Sequence, residues 1–448
     1  MTKDMTKGAP FGLILGFALP MLGGMLFQQL YNLVDTMIVG RFLGVQALAG
    51  VGATGSINFL VLGFCMGVCA GFSIPIAQCF GAKQERRMRE FAANAIYLAA
   101  AFALVITLVT VLFCRQILTA MGTPQDCFEQ AYQYIVVIFS GIPFMVLYNL
   151  CSGFLRSLGD SRTPLVFLIL SSLLNVVLDL VLILVFHMGV MGASLATVIS
   201  QAISGLLCLG YIIWKVPLLH VCGGEWRARP ERMMHLCGCG VPMGLQYSVT
   251  AIGSVILQTA VNSLGSQAVA AMTAAIKVLN FLSCPFDALG STMATYGAQN
   301  VGAARYDRLG RGMMTASLLG IAYSACAFLI AWFGGRSLTQ LFVSGSEQEI
   351  IRLAHEYMVV QVAFYVPLML VNVVRFMIQG MGFSALAVIA GVLEMIARAF
   401  TGILLVPMLG FTGVTLGSPL AWILADAFLI PAYLCCKRRL MRGAERKI

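Results

Sequence analysis

Long apolar stretches, separated by short polar segments, run along almost the whole chain. Many of them reach the roughly 20 residues that a helix needs to cross the hydrocarbon core of a bilayer. They predict helices near 11–40, 46–80, 91–114, 128–154, 163–187, 190–214, 233–264, 267–302, 312–335, 350–380, 384–408 and 412–436. A transmembrane β-barrel would instead alternate apolar and polar residues over short strands, and that alternation is absent. The pattern predicts an all-α integral membrane protein with twelve transmembrane helices.

Composition supports this fold class. Of the 448 residues, 60% are hydrophobic and 10% are charged, whereas a soluble domain carries about 25% charged residues. The first apolar stretch follows Lys3 and Lys7, as the core of a signal peptide would. It continues for about 30 residues without a small-residue cleavage site, so we interpret it as a retained first helix.

The formal net charge of +10 could suggest a nucleic-acid partner, but the placement of the basic residues indicates topology instead. With a cytoplasmic N-terminus, most of the 28 Lys and Arg residues lie in cytoplasmic segments. The opposite side has only Arg41, Arg115, Arg336 and Arg352. This asymmetry follows the positive-inside rule. We predict cytoplasmic termini, a bacterial-type inner membrane location and no nucleic-acid partner.

The two halves of the sequence share a series of motifs in the same order. The separation is 222 residues at a proline and 221 at two later motifs. The matching pairs are Pro20 and Pro242, Leu43–Ala47 and Leu264–Ala268, and Ala77–Ala82 and Ala298–Ala303. Near-constant spacing along the whole chain indicates a duplicated six-helix unit.

The duplication predicts two lobes. An even number of helices in each half makes the repeats parallel, with a central cavity between them, an arrangement that transporters use. We predict an N-lobe over 1–216, a cytoplasmic linker over 217–232, and a C-lobe with a basic cytoplasmic tail over 233–448. Pro20 interrupts the backbone hydrogen bonding of the first helix, and we consider it a candidate hinge.

Ionisable side chains within the apolar stretches are candidate functional residues, since each costs roughly 2.5 to 3.5 kcal/mol at the centre of a bilayer. Asp35 is the strongest. Gln28, Tyr31 and Asn32 precede it at helical spacing and so share its face of the helix. A polar stripe of this kind should face a cavity rather than lipid. We assign Gln28, Tyr31 and Asn32 to the substrate cavity.

A second polar set occurs in the fifth and sixth predicted helices. Asn175 and Asp179 are four residues apart on one face, and Thr197 lies near the start of the next helix. Because a helix rises 1.5 Å per residue, all three should lie at about the depth of Asp35, in the outer half of the membrane. Oxygen ligands of this type suit Na⁺ or a proton. We predict that these four residues form the cation-coupling site; packing contacts between helices are the alternative.

The second half has no carboxylates at the positions that match Asp35 and Asp179, but it has other intramembrane charges. Glu394 and Arg398 are four residues apart and can pair along their helix. Acidic partners for Arg375 and Lys277 are available in Glu394, Asp287 and Asp426. The candidate substrate-cavity residues of this half are Lys277, Asp287, Arg375, Glu394 and Arg398. The alternative is that they form buried ion pairs that hold helices together.

Cysteine and histidine chemistry offers little. The 14 cysteines lie mostly in apolar stretches, where Cys behaves as a small hydrophobic residue. A group near the central loop, consisting of His220, Cys222, His235, Cys237 and Cys239, matches no paired metal-binding spacing. Apart from Na⁺ at the coupling site, we predict no metal and no cofactor.

The motifs resemble those of the MATE (multidrug and toxic compound extrusion) family of transporters over nearly the whole chain. They are Leu19–Pro20, Gln28–Thr36, Val39–Gly40, Gly81–Ala82, Asn175–Asp179 and Gly192–Gln201. The resemblance implies twelve helices in two V-shaped lobes and antiport of drugs, often cationic, against Na⁺ or H⁺. It also implies that Asp35, Asn175, Asp179 and Thr197 match the N-lobe cation site of the DinF-like branch. The NorM-like branch has a Glu on the seventh helix, where this chain reads Gln246–Thr250.

We therefore expect a monomeric exporter of small organic molecules that works by rocker-switch alternating access and is not an enzyme. The alternative is a flippase for a lipid or a lipid-linked oligosaccharide. That class would have a strongly cationic cavity and often additional helices.

Overall fold

The computed structural model describes residues 3–342 and 347–445. Within these ranges the secondary structure is helical and contains no strand. The first half comprises α1 (Pro10–Leu43), α2 (Val45–Ala53), α3 (Gly55–Gly81), α4 (Glu85–Leu112), α5 (Cys114–Ala120), α6 (Phe128–Ser140), α7 (Ile142–Ser157), α8 (Arg162–Leu180) and α9 (Gly189–Lys215). The second comprises α10 (Pro230–Asn262), α11 (Ser266–Gly302), α12 (Tyr306–Thr339), α13 (Gln348–Ala363), α14 (Tyr365–Gly380), α15 (Ser384–Phe400), α16 (Val406–Leu409) and α17 (Phe411–Glu445).

Ten spans in the described part of the chain are long and apolar enough to cross a membrane, and two bent helix pairs bring the number to twelve. The bent pairs are α6 with α7, at 46°, and α13 with α14, at 51°. Each second helix begins just before Pro143 or Pro367, in its first turn, where a missing backbone N–H costs no helical hydrogen bond. The all-α membrane fold predicted from the sequence is confirmed.

One predicted helix is divided into two in the structure. The apolar stretch over 46–80 forms α2 and α3, which meet at Thr54. The Thr54 hydroxyl donates to the carbonyl of Val51 at 2.7 Å, and its backbone N–H also turns to that carbonyl. These two contacts end α2 without a proline. The prediction of one continuous helix there was wrong.

The residues group into two compact units. The first unit comprises Met1–Asp4 and Gly23–Gly244, and the second comprises Met5–Leu22 and Leu245–Ile448. Two of the boundaries therefore lie inside α1 and α10 rather than in the 217–232 segment. The boundary in α1 follows Pro20 by two residues, and the boundary in α10 follows Pro242 by the same distance.

Close backbone contact explains why the first part of α10 belongs to the first unit. A Cβ at Gly71 of α3 would lie 2.4 Å from the Cα of Gly240, and one at Gly67 would lie 2.6 Å from the carbonyl oxygen of Met243. Glycine is required at both α3 positions because any side chain would separate the helices. Around this contact the first unit has a continuous apolar core, which includes Phe72, Phe91, Ile135, Ile142 and Leu158.

The segment before α1 belongs to the second unit through specific polar contacts. The Met5 backbone N–H donates to Oε1 of Gln299 at 2.8 Å. The guanidinium of Arg308, which is buried, donates to the carbonyl of Gly8 at 2.8 Å and to Oδ1 of Asn300 at 3.1 Å. These hydrogen bonds satisfy backbone groups that precede the helix and fix its start.

The segment between α9 and α10 folds onto α4 within the first unit. The side chain of Asn94 donates to the carbonyl of Arg227 at 3.4 Å and accepts from the backbone N–H of Arg229 at 2.9 Å. Nε of Arg89 donates to both carboxylate oxygens of Glu225, at 3.0 and 2.8 Å. This connecting segment is therefore ordered by named side chains rather than being a free tether.

The Arg89–Glu225 contact predicts a dependence on pH. The hydrogen bond from Arg89 lowers the pKa of the Glu225 carboxyl below its ordinary value of 4.5. A carboxyl whose pKa is lowered on folding stabilises the folded state above that ordinary value and loses this effect as pH falls through the lowered pKa. We expect hydrogen–deuterium exchange of the backbone in residues 216–229, corrected for its intrinsic rate, to be slow at neutral pH. The exchange rate should rise as the pH falls through the lowered pKa of Glu225. In the Glu225→Gln variant this segment should exchange fast at neutral and at acidic pH. If the variant kept the pH profile of the wild type, the stabilising role of the Arg89–Glu225 contact would be contradicted.

Candidate functional site

Three helices of the first unit position the predicted coupling residues. Asp35 lies on the part of α1 that belongs to this unit, Asn175 and Asp179 on α8, and Thr197 on α9. The start of α8 is fixed by Asp160, whose Oδ1 accepts from the backbone N–H groups of Arg162 and Thr163, at 3.1 and 3.0 Å. A carboxylate at this place satisfies donors that have no partner within the helix.

The structure brings Asp35 and Asp179 together. Their carboxyl groups are close enough to interact electrostatically. Asp179 is completely buried, and Asp35 is half-buried. Both oxygens of Asp179 and Oδ1 of Asp35 accept no hydrogen bond from any described residue. Two carboxylates so close repel each other when both are charged, and a shared proton or a bound cation removes the repulsion.

Asn175 and Thr197 complete the oxygen-rich set. Nδ2 of Asn175 donates to the Thr197 hydroxyl at 3.4 Å, and this hydroxyl donates to the carbonyl of Ala193 at 3.2 Å. The amide oxygen of Asn175 is buried and accepts from no described donor. Carboxylate, amide and hydroxyl oxygens are the ligands that hard cations such as Na⁺ prefer.

The polar stripe on α1 is only partly drawn into this site. Tyr31 lies near Gln28, near Gln201 of α9 and near both aspartates. Asn32 is exposed. Pro20 lies earlier on α1, in the part that belongs to the second unit.

Two residues near the aspartates were not among the predicted site residues. Gln201 lies one helical turn after Thr197 and so shares its face, a spacing that could have indicated it. Tyr134 of α6 is buried and lies near Asp35, Tyr31 and Asp179. No sequence signal distinguishes Tyr134 from the other aromatic residues, because its role depends on how α6 packs.

The backbone around Asp179 departs from regular helix. Directly after α8, residues Val181–Val185 form a π-helical turn, and Thr401–Leu405 form its counterpart after α15. Turns of this kind are rare and often occur at functional sites. The second half repeats the turn but has Gly402 near the position of Asp179. The two halves therefore share the π-helical turn, whereas only the first half has a carboxylate beside it.

The second unit holds a separate group of buried charges. Glu394 of α15 accepts hydrogen bonds from Arg375 of α14 and, at 3.4 Å, from Arg398 one turn away. All three are buried, and Nε of Arg375 and Nη1 of Arg398 find no acceptor among the described residues. A single carboxylate thus serves two guanidinium groups. Nearby, the amides of Gln379 and Gln246 are hydrogen-bonded at 2.5 Å.

The remaining candidates of the second half are not brought into that group by any hydrogen bond or ion pair found in the described residues. The ammonium of Lys277 lies 5.6 Å from the ring centroid of Phe342, a cation–π contact. Asp287 is exposed. Asp426 is buried, and its Oδ1 has no donor among the described residues. For the His220 and Cys222 group, no cluster of three metal-ligating side chains occurs in the described ranges.

Comparison with known proteins supports the duplication and the class. A family model described as MatE matches the chain twice, over residues 20–181 and 242–404. The chain is 30% identical to "Probable multidrug resistance protein YoeA" of Bacillus subtilis, over 82% of the chain and 80% of that protein. It is 23% identical to "FAD transporter" of Shewanella oneidensis, over 80% of each. The names of these relatives do not favour the flippase alternative.

Solved structures show the same fold over the full length. One, described as an outward-facing conformation of a multidrug resistance MATE family transporter of the MOP superfamily, aligns with a TM-score of 0.90 at 22% identity. Another, described as MATE in complex with MaL6, aligns with a TM-score of 0.91 at 23% identity. Both alignments cover 100% of each chain.

Proposed function

Because the chain belongs to the MatE family of multidrug efflux transporters, we propose that it is an antiporter that exports small organic molecules against an inward flow of H⁺ or Na⁺. Asp35, Asp179, Asn175 and Thr197 would form its coupling site. The observation that carries the proposal is the proximity of the Asp35 and Asp179 carboxyl groups, three of whose oxygens accept from no donor among the described residues. Such a pair is stable when it holds one proton or one cation.

Coupling follows from differential affinity. A cation moves an equilibrium between two states of a protein only by as much as it binds one state more tightly than the other. When the pair is charged and close, repulsion favours any state that separates the carboxyl groups or admits water. When a cation neutralises the pair, the dry and closed arrangement is favoured. We propose that this change accompanies a rocker-switch movement that releases substrate outward.

The substrate and topology complete the proposal. The relatives are named for multidrug resistance and for FAD transport, and we propose small organic molecules, often cationic, as substrates. Gln28, Tyr31 and Asn32, together with the charged residues of the second unit, are the proposed contacts. We further propose that both termini are cytoplasmic, that the protein acts as a monomer, and that it uses no cofactor besides the coupling ion.

Transport by purified protein in vesicles tests this function directly. A pH gradient without Na⁺ and a Na⁺ gradient without a pH difference are imposed separately, and movement of the cationic dye ethidium is followed. We expect one of the two gradients to drive ethidium against its own gradient. Ethidium movement that neither gradient accelerates would contradict antiport. Flipping of a labelled lipid in the same vesicles would support the flippase alternative.

A further inference from the structure

The start of α4 and the start of α10 carry a group of charges within the first unit that the coupling site does not use. Glu90 is 4% exposed and forms ion pairs with Arg86 at 3.6 Å, Arg229 at 3.0 Å and Arg232 at 3.5 Å. We call these four residues the Glu90 cluster. One carboxylate faces three guanidinium groups, so the cluster has an excess of positive charge.

The guanidinium groups of the Glu90 cluster have donors to spare. Nε of Arg229 and Nε of Arg232 are buried, and neither finds an acceptor among the described residues. Their side chains are 38% and 21% exposed, so other guanidinium nitrogens remain accessible. A planar guanidinium with free N–H groups matches the oxygens of a phosphate.

The same groups are held in place before any ligand arrives. The guanidinium carbon of Arg232 lies 5.0 Å from the ring centroid of Phe91. The ring of His235 also packs against Phe91, with 5.5 Å between the ring centroids. The backbone N–H of Arg229 is fixed by Asn94. A preorganised cluster loses less conformational entropy on binding.

The position of the cluster points to a headgroup rather than to a soluble anion. Tyr97 and Trp226 are 40% and 42% exposed, with ring centroids 6.1 Å apart, and the Tyr97 hydroxyl donates to the Trp226 carbonyl. Trp and Tyr are enriched at the level of lipid headgroups. Leu104 and Leu108 follow Tyr97 on the same face of α4, and both are exposed. This stripe provides an apolar track for an acyl chain.

We propose that the Glu90 cluster binds the phosphate of an anionic phospholipid whose acyl chain lies along Tyr97, Leu104 and Leu108. The lipid phosphate takes guanidinium N–H groups on the exposed side of Arg229 and Arg232, since their Nε groups are buried. Because Arg86 belongs to α4 and Arg229 and Arg232 belong to the α10 side, the lipid fastens the connecting segment to α4. A zwitterionic phospholipid, with its compensating cation, binds more weakly.

Native mass spectrometry and thermal unfolding of the purified full chain test this site, with phosphatidylglycerol and phosphatidylcholine of equal chain length as probes. Phosphatidylglycerol should bind preferentially and raise the unfolding temperature. The double variant Arg229→Gln/Arg232→Gln should weaken phosphatidylglycerol binding by roughly fivefold for each guanidinium lost, equivalent to about 1 kcal/mol each. Glu90 retains Arg86 in this variant. The matched control, Arg438→Gln/Arg442→Gln, removes two exposed basic residues of α17 and should bind normally.

Glu90→Gln provides a test of opposite sign. Removing the internal carboxylate frees three guanidinium groups, so phosphatidylglycerol should bind more tightly and protect this variant more than the wild type. A purely structural Glu90 would instead make the variant equally less stable in both lipids, which would overturn the proposal. Unchanged phosphatidylglycerol binding in the double variant, or an equal loss in the control, would overturn it too. Equal stabilisation by glycerol 3-phosphate would replace the lipid with a soluble phosphate and also overturn it.

Discussion

Replacing either Asp35 or Asp179 by Asn is expected to lower the initial rate of gradient-driven efflux in vesicles by at least about tenfold, equivalent to about 1.4 kcal/mol of activation free energy. An amide in place of one carboxyl can donate to the other, as a protonated carboxyl would, but it cannot release a proton or neutralise a cation. The remaining carboxyl can still take up a proton or a cation, but the repulsion between two carboxylates, on which the proposed coupling depends, is lost. Substrate exchange without a gradient should persist, because it needs only the movement and not the coupling.

The control for this prediction is Glu129→Gln, which removes an exposed carboxylate of α6 in the same unit. Glu129 pairs with Arg115 at 3.4 Å, and both side chains are more than half exposed. Exposed ion pairs contribute little, so this variant should transport like the wild type. If Asp179→Asn retained wild-type efflux that responds to the imposed gradient, the coupling role of the aspartate pair would be refuted.

Glu394→Gln is expected to destabilise the protein by about 3 to 5 kcal/mol, because it leaves the buried guanidinium groups of Arg375 and Arg398 without their shared carboxylate. Thermal unfolding in detergent measures the effect. Both arginines are less than one-tenth exposed, so water compensates poorly for the lost charge. Efflux per folded molecule then separates the two interpretations of this group: it stays unchanged if the ion pairs are structural and falls if they contact substrate.

Glu349→Gln is the matched control for that measurement. Glu349 of α13 pairs with Arg352 at 2.6 Å in the same unit, but both side chains are more than half exposed. Losing this pair should change the unfolding temperature little. Similar unfolding temperatures for the Glu394 and Glu349 variants would mean that burial gives the Arg375–Glu394–Arg398 group no special weight.

Much of the fold could be predicted from the sequence because two local rules govern it. Apolar length determines which segments span the bilayer, and the repeated motifs determine the duplication. The break at Thr54 was not predicted. Although no proline marks it, the short run Thr54–Ser56 is of the Gly, Ser and Thr type that occurs at turns. The structure also assigns the start of α10 to the first unit and the start of α1 to the second. This assignment could not be predicted, because it depends on contacts between helices far apart in sequence, such as that of Gly71 with Gly240.

The candidate site shows the same division. Helical spacing and rise predict a similar depth for Asp35 and Asp179, because both follow from one helix at a time. Their proximity, the approach of Gln201 and the position of Tyr134 depend on how α1, α6, α8 and α9 pack. In the second unit the predicted Glu394–Arg398 pair occurs, yet Glu394 also accepts from Arg375, a residue of another helix.

The assignment of the start of α10 to the first unit also has a consequence for biosynthesis. The first unit includes residues up to Gly244, so it lacks one of its own helical segments until the ribosome has synthesised the start of the second half. Domains generally fold as units during synthesis, beginning with the N-terminal one. Here the first unit cannot complete its fold until the start of α10 has been synthesised. Until then Gly67 and Gly71 of α3 lack the α10 segment that packs against them. A chain cut within the 217–232 segment would therefore yield two fragments that each lack part of a unit. Each fragment would need the other one to complete its fold.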